Sequence, residues 1–526
     1  MNNKLKDWGM PMKKANWGHW ADPPKKHAPK EYREILETEV LVIGAGIAGM
    51  SCAYRAAQCG AKVTVMEKLS KYTARGFNIG VVNSSVLESF GIHNDPDAFV
   101  REWIKRCGNR CDERLVRLFA QRSPEAMEWL LELVTRPEYD VRCAISGSRY
   151  MGETYQEIYG AHLLLNGPVS RQGGAPGVSE ALECMYQEMQ KMDVRFLFST
   201  PMEQLIKEGG RVTGAAAVRA DGTLIAVKAS RAVVLATGGI GGNDEMCEDL
   251  SPMANRPPKK VSVPKGSDNG DGHRAALWAG AAFEDTPFPT MIHPQLFPHC
   301  NYCFLFIRPD GKRFMNEDTY LQAKSLKIIQ QGYEYIWSVF DSGWPEKIPA
   351  TFPYGGGIFW GQEMPLGMEQ FSVEREQAVI DRGLKSGSTV MADTPEALAD
   401  QMGVDREAFA ATLDHYNEMC RNGHDDDFGK RPELLIPVDK PPYIARKVGA
   451  ALLAVVGGVT VDPDMRVLDE EKEPIPGLYA IGNVAGGRYG VDYPMILPGN
   501  SIGSGMTFGY LLGTALGRFE ESESVR

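Results

Sequence analysis

Val40-Leu-Val-Ile-Gly44-Ala-Gly46-Ile-Ala-Gly49-Met-Ser-Cys-Ala53 reads as an apolar strand, a glycine turn and the first turns of a helix. Ala61-Lys-Val-Thr-Val-Met-Glu67 supplies a second apolar strand ending in an acid. Each glycine has its own reason. Gly44 permits the tight turn out of the strand, Gly46 lets the backbone approach a pyrophosphate, and Gly49 lets helix and strand pack closely, so an anion sits on the helix N-terminus. Glu67 stands where an acid accepts hydrogen bonds from an adenosine ribose, with Lys68 directly after it. Both strands, the helix pattern and the acid fall at the spacing of a βαβ dinucleotide-binding unit over about residues 37–68.

The other end of the chain decides which dinucleotide. Pro476-Gly-Leu-Tyr-Ala-Ile-Gly482-Asn483 is a short apolar strand ending in a glycine turn, and Gly499-Asn500-Ser501-Ile502-Gly503 opens a helix. Two glycine-rich helix starts nearly a whole chain apart suit a cofactor with two ends to hold, so FAD is expected rather than NAD. Ala232-Val-Val-Leu-Ala-Thr237-Gly238-Gly239 adds a third apolar strand with a glycine exit, after a β-meander expected around Thr200 to Lys228. A helical stretch is expected around Asp97 to Leu133, and from about residue 289 aromatic and Pro-rich loops should give way to helices opened by the N-caps Thr394 and Asp405, with strands resuming near Val448.

These motifs, together with Asn269-Gly-Asp-Gly-His-Arg-Ala-Ala-Leu-Trp-Ala-Gly280, closely resemble the soluble fumarate reductase and 3-ketosteroid dehydrogenase superfamily of FAD-dependent oxidoreductases. The likeness covers nearly all of the chain after about residue 35 and keeps the family's order. It implies an α/β protein with a split Rossmann-like FAD-binding domain and an inserted α+β capping domain. The divisions expected are an N-terminal arm (1–34), a first FAD-binding segment (35–288), a capping domain (289–450) and a second FAD-binding segment (451–526), with the active site in the cleft. It implies FAD contacts from Gly44, Gly46, Gly49, Glu67 and Lys68, and from Met202, Thr237, Gly238, Gly482, Asn483, Asn500, Ser501 and Ile502. The loop Thr73-Ala-Arg75-Gly76-Phe-Asn78-Ile-Gly80 falls where the family runs past the flavin ring, so Thr73, Arg75, Gly76, Asn78 and Gly80 join that set.

Composition excludes several other classes. The 526 residues are 43% hydrophobic, enough to bury two sizeable domains. A formal net charge of -11 leaves no broad basic field for nucleic acid or an anionic membrane. No apolar run approaches a membrane span, and the ten cysteines have no disulfide-framework spacing, which favours a reducing cytoplasm. The N-terminal lysines (Lys4, Lys6, Lys13, Lys14, Lys25, Lys26) lack the apolar stretch of a secretory signal. Trp8, Trp17 and Trp20 among them are expected to pack on the chain's own surface. Without haem or iron-sulfur motifs and without a second dinucleotide fingerprint, electrons must come from an external donor such as a flavin or flavoprotein. Cys300-Asn-Tyr-Cys303 is read as ordinary strand or loop cysteines.

The resemblance also nominates chemistry. His293, in Ile292-His293-Pro294, falls where the family keeps a substrate-contacting histidine. Arg313, Asn316 and Glu317 are read as a structural turn and ion pair. In dicarboxylate-reducing members an arginine four residues beyond that Asn-Glu pair donates the proton; here that register holds Leu321, with Tyr320 beside it. Leu453 and Ala454 replace a histidine pair, and Asp492-Tyr493-Pro494 replaces an Asn-Arg. A dianion needs cationic, charge-assisted partners, and the matched positions lack them, leaving Arg488 and Arg308 as substitutes.

Tyr493-Pro494 instead looks like the Tyr-Pro of ketosteroid dehydrogenases, whose phenol polarises a substrate carbonyl, and Tyr320 lies near their proton-exchanging tyrosine. The candidates are therefore Tyr493, Tyr320 and His293. The expected reaction reduces or forms a C=C bond conjugated to a carbonyl in a neutral or bulky small molecule, steroid-like or aromatic. Phe288, Phe297, Tyr302, Phe304, Tyr354 and Trp360 suit such a substrate and suit a core equally. The alternatives are a fumarate-reductase-like enzyme for a small enoate or dicarboxylate, an oxidase of amines or hydroxy acids, and a non-enzymatic electron-transfer flavoprotein.

Overall fold

The strand from the fingerprint lies at the centre of its sheet. Val40, Leu41, Val42 and Ile43 are buried on both faces, as a near-continuous apolar run in a covered parallel sheet must be. The computed structural model describes residues 17–73, 75–145, 158–261, 266–297, 302–354, 356 and 371–518. Strand Glu34–Ile43 pairs in parallel with Val63–Met66 on one side and Leu224–Leu235 on the other. Val63–Met66 pairs in parallel with Arg195–Leu197, and Leu224–Leu235 pairs in parallel with Pro474–Ala480. The expected meander is present as antiparallel Met202–Glu208 and Arg211–Val218 hung on Leu224–Leu235.

Helices Ile47–Gln58 and Asn500–Gly517 pack on one another with almost no side chain between them. Gly505, Gly509, Gly513 and Gly517 recur every fourth residue along one face of the second helix. A Cβ on Gly509 would sit 2.5 Å from the Ala48 carbonyl oxygen, and one on Gly513 2.5 Å from that of Cys52. That backbone-to-backbone crossing brings two helix N-termini, drawn from opposite ends of the chain, to one place.

A second, antiparallel sheet has the order Leu305–Ile307, Ile336–Asp341, Tyr443–Val448, Thr389–Ala392. Helices Pro395–Met402 and Arg406–Asn422 cover it, opened by Thr394 and Asp405, whose side chains accept the Ala397 and Ala408 N–H groups as sequence expects. Between the two large sheets, Thr290–His293 pairs with Ala451–Val455, which also carries Lys259–Lys260.

Two readings change. The single helical stretch expected from about Asp97 to Leu133 is two helices, Pro96–Arg106 and Glu113–Val134. Gly108 and Asn109 between them hold φ of 60° and 54°, which a right-handed helix does not accept. Ile336–Asp341, expected among loops and helices, is a strand buried along its whole length, so it shows no alternation to read. Of the aromatics that suit a substrate space and a core equally, Tyr302 and Phe304 lie in the core of the second sheet and Phe288 in that of the first, while Phe297 packs edge-on against Tyr335 and Tyr354 is exposed. Trp360, Cys300 and Trp8 lie outside the described residues. Trp17 and Trp20 do pack on the chain itself, Trp17 stacked on Phe283 at 5.7 Å and Trp20 donating to Asp249 at 2.6 Å. Cys303 is buried, and burial pushes its thiol up.

Candidate active site

The glycine exits of three parallel strands open side by side, because Glu34–Ile43, Leu224–Leu235 and Pro474–Ala480 end at one edge of the sheet. Gly44, Gly238 and Gly482 there hold φ of 108°, 79° and 74°. They border one cavity of about 750 Å³, which lies outside the carboxyl ends of the strands, where open α/β sheets bind ligands.

At the nucleotide end the wall is mostly backbone. Gly46 is the N-cap of helix Ile47–Gln58, with no side chain capping it, and a Cβ on Gly46 would meet nothing within 4 Å except the open cavity. The first-turn N–H groups are therefore free for an anion. Gly49 does not line the cavity; a Cβ there would lie 1.9 Å from the Gly44 carbonyl oxygen, so it serves the close helix-strand contact. Glu67 is held by the N–H groups of Ala45 (2.7 Å, Oε2) and Leu69 (2.9 Å, Oε1), which fixes its carboxylate at the cavity surface with lone pairs to spare. Lys68 pairs with Asp271 at 2.8 Å, and Met202 and Asn483 also line this space.

The fit to a dinucleotide rests on polar atoms left without partners. Asn78 Oδ1, Thr237 Oγ1 and Ser267 Oγ are buried, belong to cavity-lining residues and have no hydrogen-bond partner among the described residues. Buried polar groups are rarely left so; three of them around one elongated cavity beside two uncapped helix starts suit a polar, phosphate-bearing ligand.

The opposite end is built from side chains. Thr73, Arg75, Gly76, Asn78, Ser501 and Ile502 line the cavity where its two halves meet, followed by Met291, His293, Leu453, Ala454 and Tyr493. Gly80 is set back, hydrogen-bonded through its N–H to the Gly499 carbonyl at 3.0 Å. Asn500 is also set back, its amide donating to the carbonyls of Pro494 (3.1 Å) and Leu497 (3.0 Å) to hold the loop that carries Tyr493.

Tyr493 is buried, and its hydroxyl oxygen accepts the Ser501 N–H at 3.3 Å, at the start of helix Asn500–Gly517. Burial pushes its pKa up, so it stays a phenol and keeps its O–H to donate. His293 is buried at the end of its strand and lines the same space. Tyr320 does not line the cavity; it is half-buried and its hydroxyl donates to Asp492 at 3.2 Å.

Among the described residues Arg75 is the arginine that lines the cavity, and the sequence reading gave it no charge role. It is ion-paired to Asp268 and donates to the carbonyls of Leu453 and Val261 (3.0 Å to the latter). Leu453 is the extra residue in Ala451–Val455 where the register against Thr290–His293 slips, a bulge that turns its carbonyl toward Arg75. Arg488 and Arg308 do not line the cavity: Arg488 donates to the Gly482 carbonyl at 2.7 Å, and Arg308 holds Asp310 and Gln331. Arg313 forms a buried, bidentate set with Glu317 and Asp425 inside the second sheet's core, as its structural reading expects. Asp268, Asp492 and Gln322 escaped the sequence reading. A lone acid at the head of the apolar run Tyr493-Pro-Met-Ile-Leu-Pro498 is the signal that marks Asp492.

This arrangement defines a class. The chain belongs to the FAD binding domain family, which it matches over residues 39–502, and it is an FAD-dependent oxidoreductase. It is 27% identical over 515 residues to the vinyl phenol reductase of Lactiplantibacillus plantarum, a match covering 93% of this chain and 98% of that protein. It is 26% identical over 499 residues to the NADH:fumarate oxidoreductase of Klebsiella pneumoniae, covering 92% of this chain and 48% of that one, so it spans about half the length of that relative. The fold is shared with an open flavocytochrome c3 fumarate reductase (TM-score 0.69, 23% identity, 93% of this chain and 79% of that one). It is shared equally with the 3-ketosteroid-Δ4-(5α)-dehydrogenase of Rhodococcus jostii (TM-score 0.71, 22% identity, 94% of this chain and 99% of that one). The relatives oxidise or reduce C=C bonds, and FAD-dependent C=C oxidoreduction is the activity class they share with this chain. Among the described residues no helix is long and apolar enough to cross a membrane.

Proposed function

We propose that this flavoprotein exchanges hydrogen across a C=C bond conjugated to a carbonyl or phenol oxygen in a neutral, apolar substrate. The observation that carries the proposal is the Tyr493 hydroxyl, kept protonated by burial in the cavity wall, with the Ser501 N–H of a helix N-terminus behind its oxygen. Bound FAD supplies the two-electron chemistry, giving hydride to the substrate or taking it. Tyr493 holds the substrate oxygen and stabilises the negative charge that builds there; Ser501 N–H, donating to the same phenol oxygen, makes it a stronger donor. His293 contacts the substrate from the facing wall, and Tyr320 serves the proton at the adjacent carbon.

Charge supports a neutral substrate. Among the described residues each lining cation already has a carboxylate, Arg75 with Asp268, Lys68 with Asp271 and Lys71 with Glu183, so a dianion buried here would have to take one of them from its partner. The vinyl phenol reductase relative favours an aromatic alkene among neutral candidates. The backbone-built end supports Gly44, Gly46, Glu67, Lys68, Met202, Thr237, Gly238, Gly482 and Asn483 as contacts to the adenosine and pyrophosphate, and Thr73, Arg75, Gly76, Asn78, Ser501 and Ile502 as contacts to the ring end. We read 35–288 and 451–526 as the FAD-binding domain and 289–450 as its insert, supported by an antiparallel sheet drawn wholly from the latter span. An external flavin or flavoprotein donor and a reducing cytoplasm complete the reading, on the strength of the sequence motifs and cysteine usage.

The test is anaerobic reoxidation of the photoreduced enzyme by 2-cyclohexen-1-one, 4-vinylphenol, 4-androstene-3,17-dione and fumarate. A neutral member should be fastest. Reoxidation by none of the four, or by fumarate alone, would defeat the proposal.

A further inference from the structure

A buried carboxyl stands directly beside Tyr493 and holds no part of the nucleotide end. Asp492 Oδ1 accepts the Tyr493 N–H at 2.8 Å and the Gln322 amide at 2.7 Å, while Oδ2 accepts the Tyr320 O–H at 3.2 Å. Gln322 carries the connection onward. Its amide also donates to the Thr290 carbonyl at 2.6 Å and its oxygen accepts the Ile292 N–H at 2.6 Å, so it takes the place of a neighbouring strand along the edge of Thr290–His293. One clasp thus joins the cavity wall bearing His293 to the wall bearing Tyr493.

An asparagine at 492 would make the same contacts. Its oxygen would accept from Gln322 and Tyr493, and its amide would donate to the Tyr320 oxygen, with no charge to desolvate. What the carboxyl adds is a transferable proton. We propose that Asp492 and Tyr320 form the proton relay of this site, Asp492 being the positioning residue that reloads Tyr320.

The inference rests on the proposed C=C reduction, whose hydride addition leaves negative charge at the adjacent carbon. The Tyr320 O–H bond breaks as one water, needed because Tyr320 stands behind the cavity wall, passes a proton to that carbon and closes the new C–H bond. Asp492 in its protonated form then donates its Oδ2–H to the tyrosinate oxygen across the same 3.2 Å contact, with the direction of the hydrogen bond reversed. Solvent at the exposed neighbour Val491 returns a proton to the carboxylate. No electrons move in the relay, and in the oxidative direction the proton runs outward.

The surroundings fit a group that changes protonation state near neutrality. Burial pushes Asp492 up to about 6, against the pull of its three hydrogen bonds. The ionisable groups nearby are Tyr320, Cys107 at the end of helix Pro96–Arg106, Glu284, Arg488, Tyr489 and Tyr493. Arg488 is committed to the carbonyls of Gly482 and Ala485 and is not among the groups that lower Asp492.

The test uses the holoenzyme, photoreduced, with the fastest substrate of the four-member panel, in H₂O and D₂O across pH 5–9 (roughly the span over which the carboxyl and its neighbours titrate). Asp492→Asn should keep its FAD and melt no lower than the parent, reoxidise about 10²-fold more slowly, and lose the limb of the pH profile near 6. Asp492→Glu should recover some of the rate. Tyr320→Phe should slow by a similar factor, with the double variant no slower than either single one, as one path requires. If Tyr320→Phe is slow but Asp492→Asn keeps the parental rate and pH profile, the relay is overturned while the proposed function stands. Loss of FAD or of folding in Asp492→Asn would make Asp492 structural and overturn it equally. Tyr320→Phe at the parental rate removes the relay's inner end, and a panel with no substrate defeats the proposed function and the relay together.

Discussion

The two ends of the cavity are made of different material. One end is lined mostly by backbone: an uncapped helix start at Gly46, glycine exits at Gly44, Gly238 and Gly482, and a Glu67 carboxylate pinned by two N–H groups. The other is lined by residues on separate segments, Arg75, His293, Leu453 and Tyr493, and on the proposed function the first end takes the nucleotide and the second the substrate. Backbone geometry is demanding and repeats across a superfamily, because phosphate and ribose do not change. Side chains on loops are cheap to exchange, so this is where one fold turns to different substrates.

If that contrast is right, damage to the first end should abolish cofactor binding and damage to the second should spare it. The largest effect is expected for Gly46→Val, whose side chain would fill the space over the helix start. It should lose most of the roughly one FAD per chain expected of the parent, measured by absorbance after gel filtration. Full occupancy would break the assignment of the fingerprint. Next, fumarate should reoxidise the photoreduced enzyme about 10²–10³-fold more slowly than the best neutral substrate, the scale of a buried charge without its partner. Comparable rates would show that Arg75 leaves Asp268 to bind the dianion.

Smaller effects probe the frame. Gly509→Leu should force apart helices Ile47–Gln58 and Asn500–Gly517, costing about 1–3 kcal/mol and weakening FAD retention, by thermal melts with and without added FAD. An unchanged midpoint would mean that the crossing can relax. Smallest is Asp492→Asn measured as stability. Asp492 is raised from 3.8 to about 6 in the fold, so its contribution is full below about 3.8 and is lost as pH rises through 6. The asparagine variant does not titrate, so its advantage should grow between pH 4 and 6 (the interval set by those two values) and reach a few degrees in Tm at most near neutrality. A variant less stable than the parent at neutral pH contradicts the sign.

What was legible in the sequence follows the same division. The fingerprint's strand, turn and helix, the second strand ending at Glu67 and the C-terminal helix start were readable as elements because each is a local pattern, and Thr394 and Asp405 were readable as helix caps for the same reason. Strand Ile336–Asp341 was not, because burial on both faces erases alternation. Between substrate space and core the sequence left the aromatics open, since size and apolarity do not say which way a side chain faces; Phe288, Tyr302 and Phe304 pack in cores. The Arg75–Asp268 pair joins residues 193 positions apart, and the Gln322–Asp492 clasp joins residues 170 apart. Only the fold brings such partners together.

On the proposed function Tyr493 works on the substrate and not on the cofactor. Tyr493→Phe keeps the ring in the wall and removes the one hydroxyl, so single-turnover reoxidation of the photoreduced, FAD-loaded variant by the best panel substrate tests it directly. FAD content should be unchanged and the rate lower by about 10²–10³, the usual cost of one positioned oxyanion donor. Reoxidation at the parental rate with full FAD would contradict it and move the substrate oxygen to His293 or Arg75.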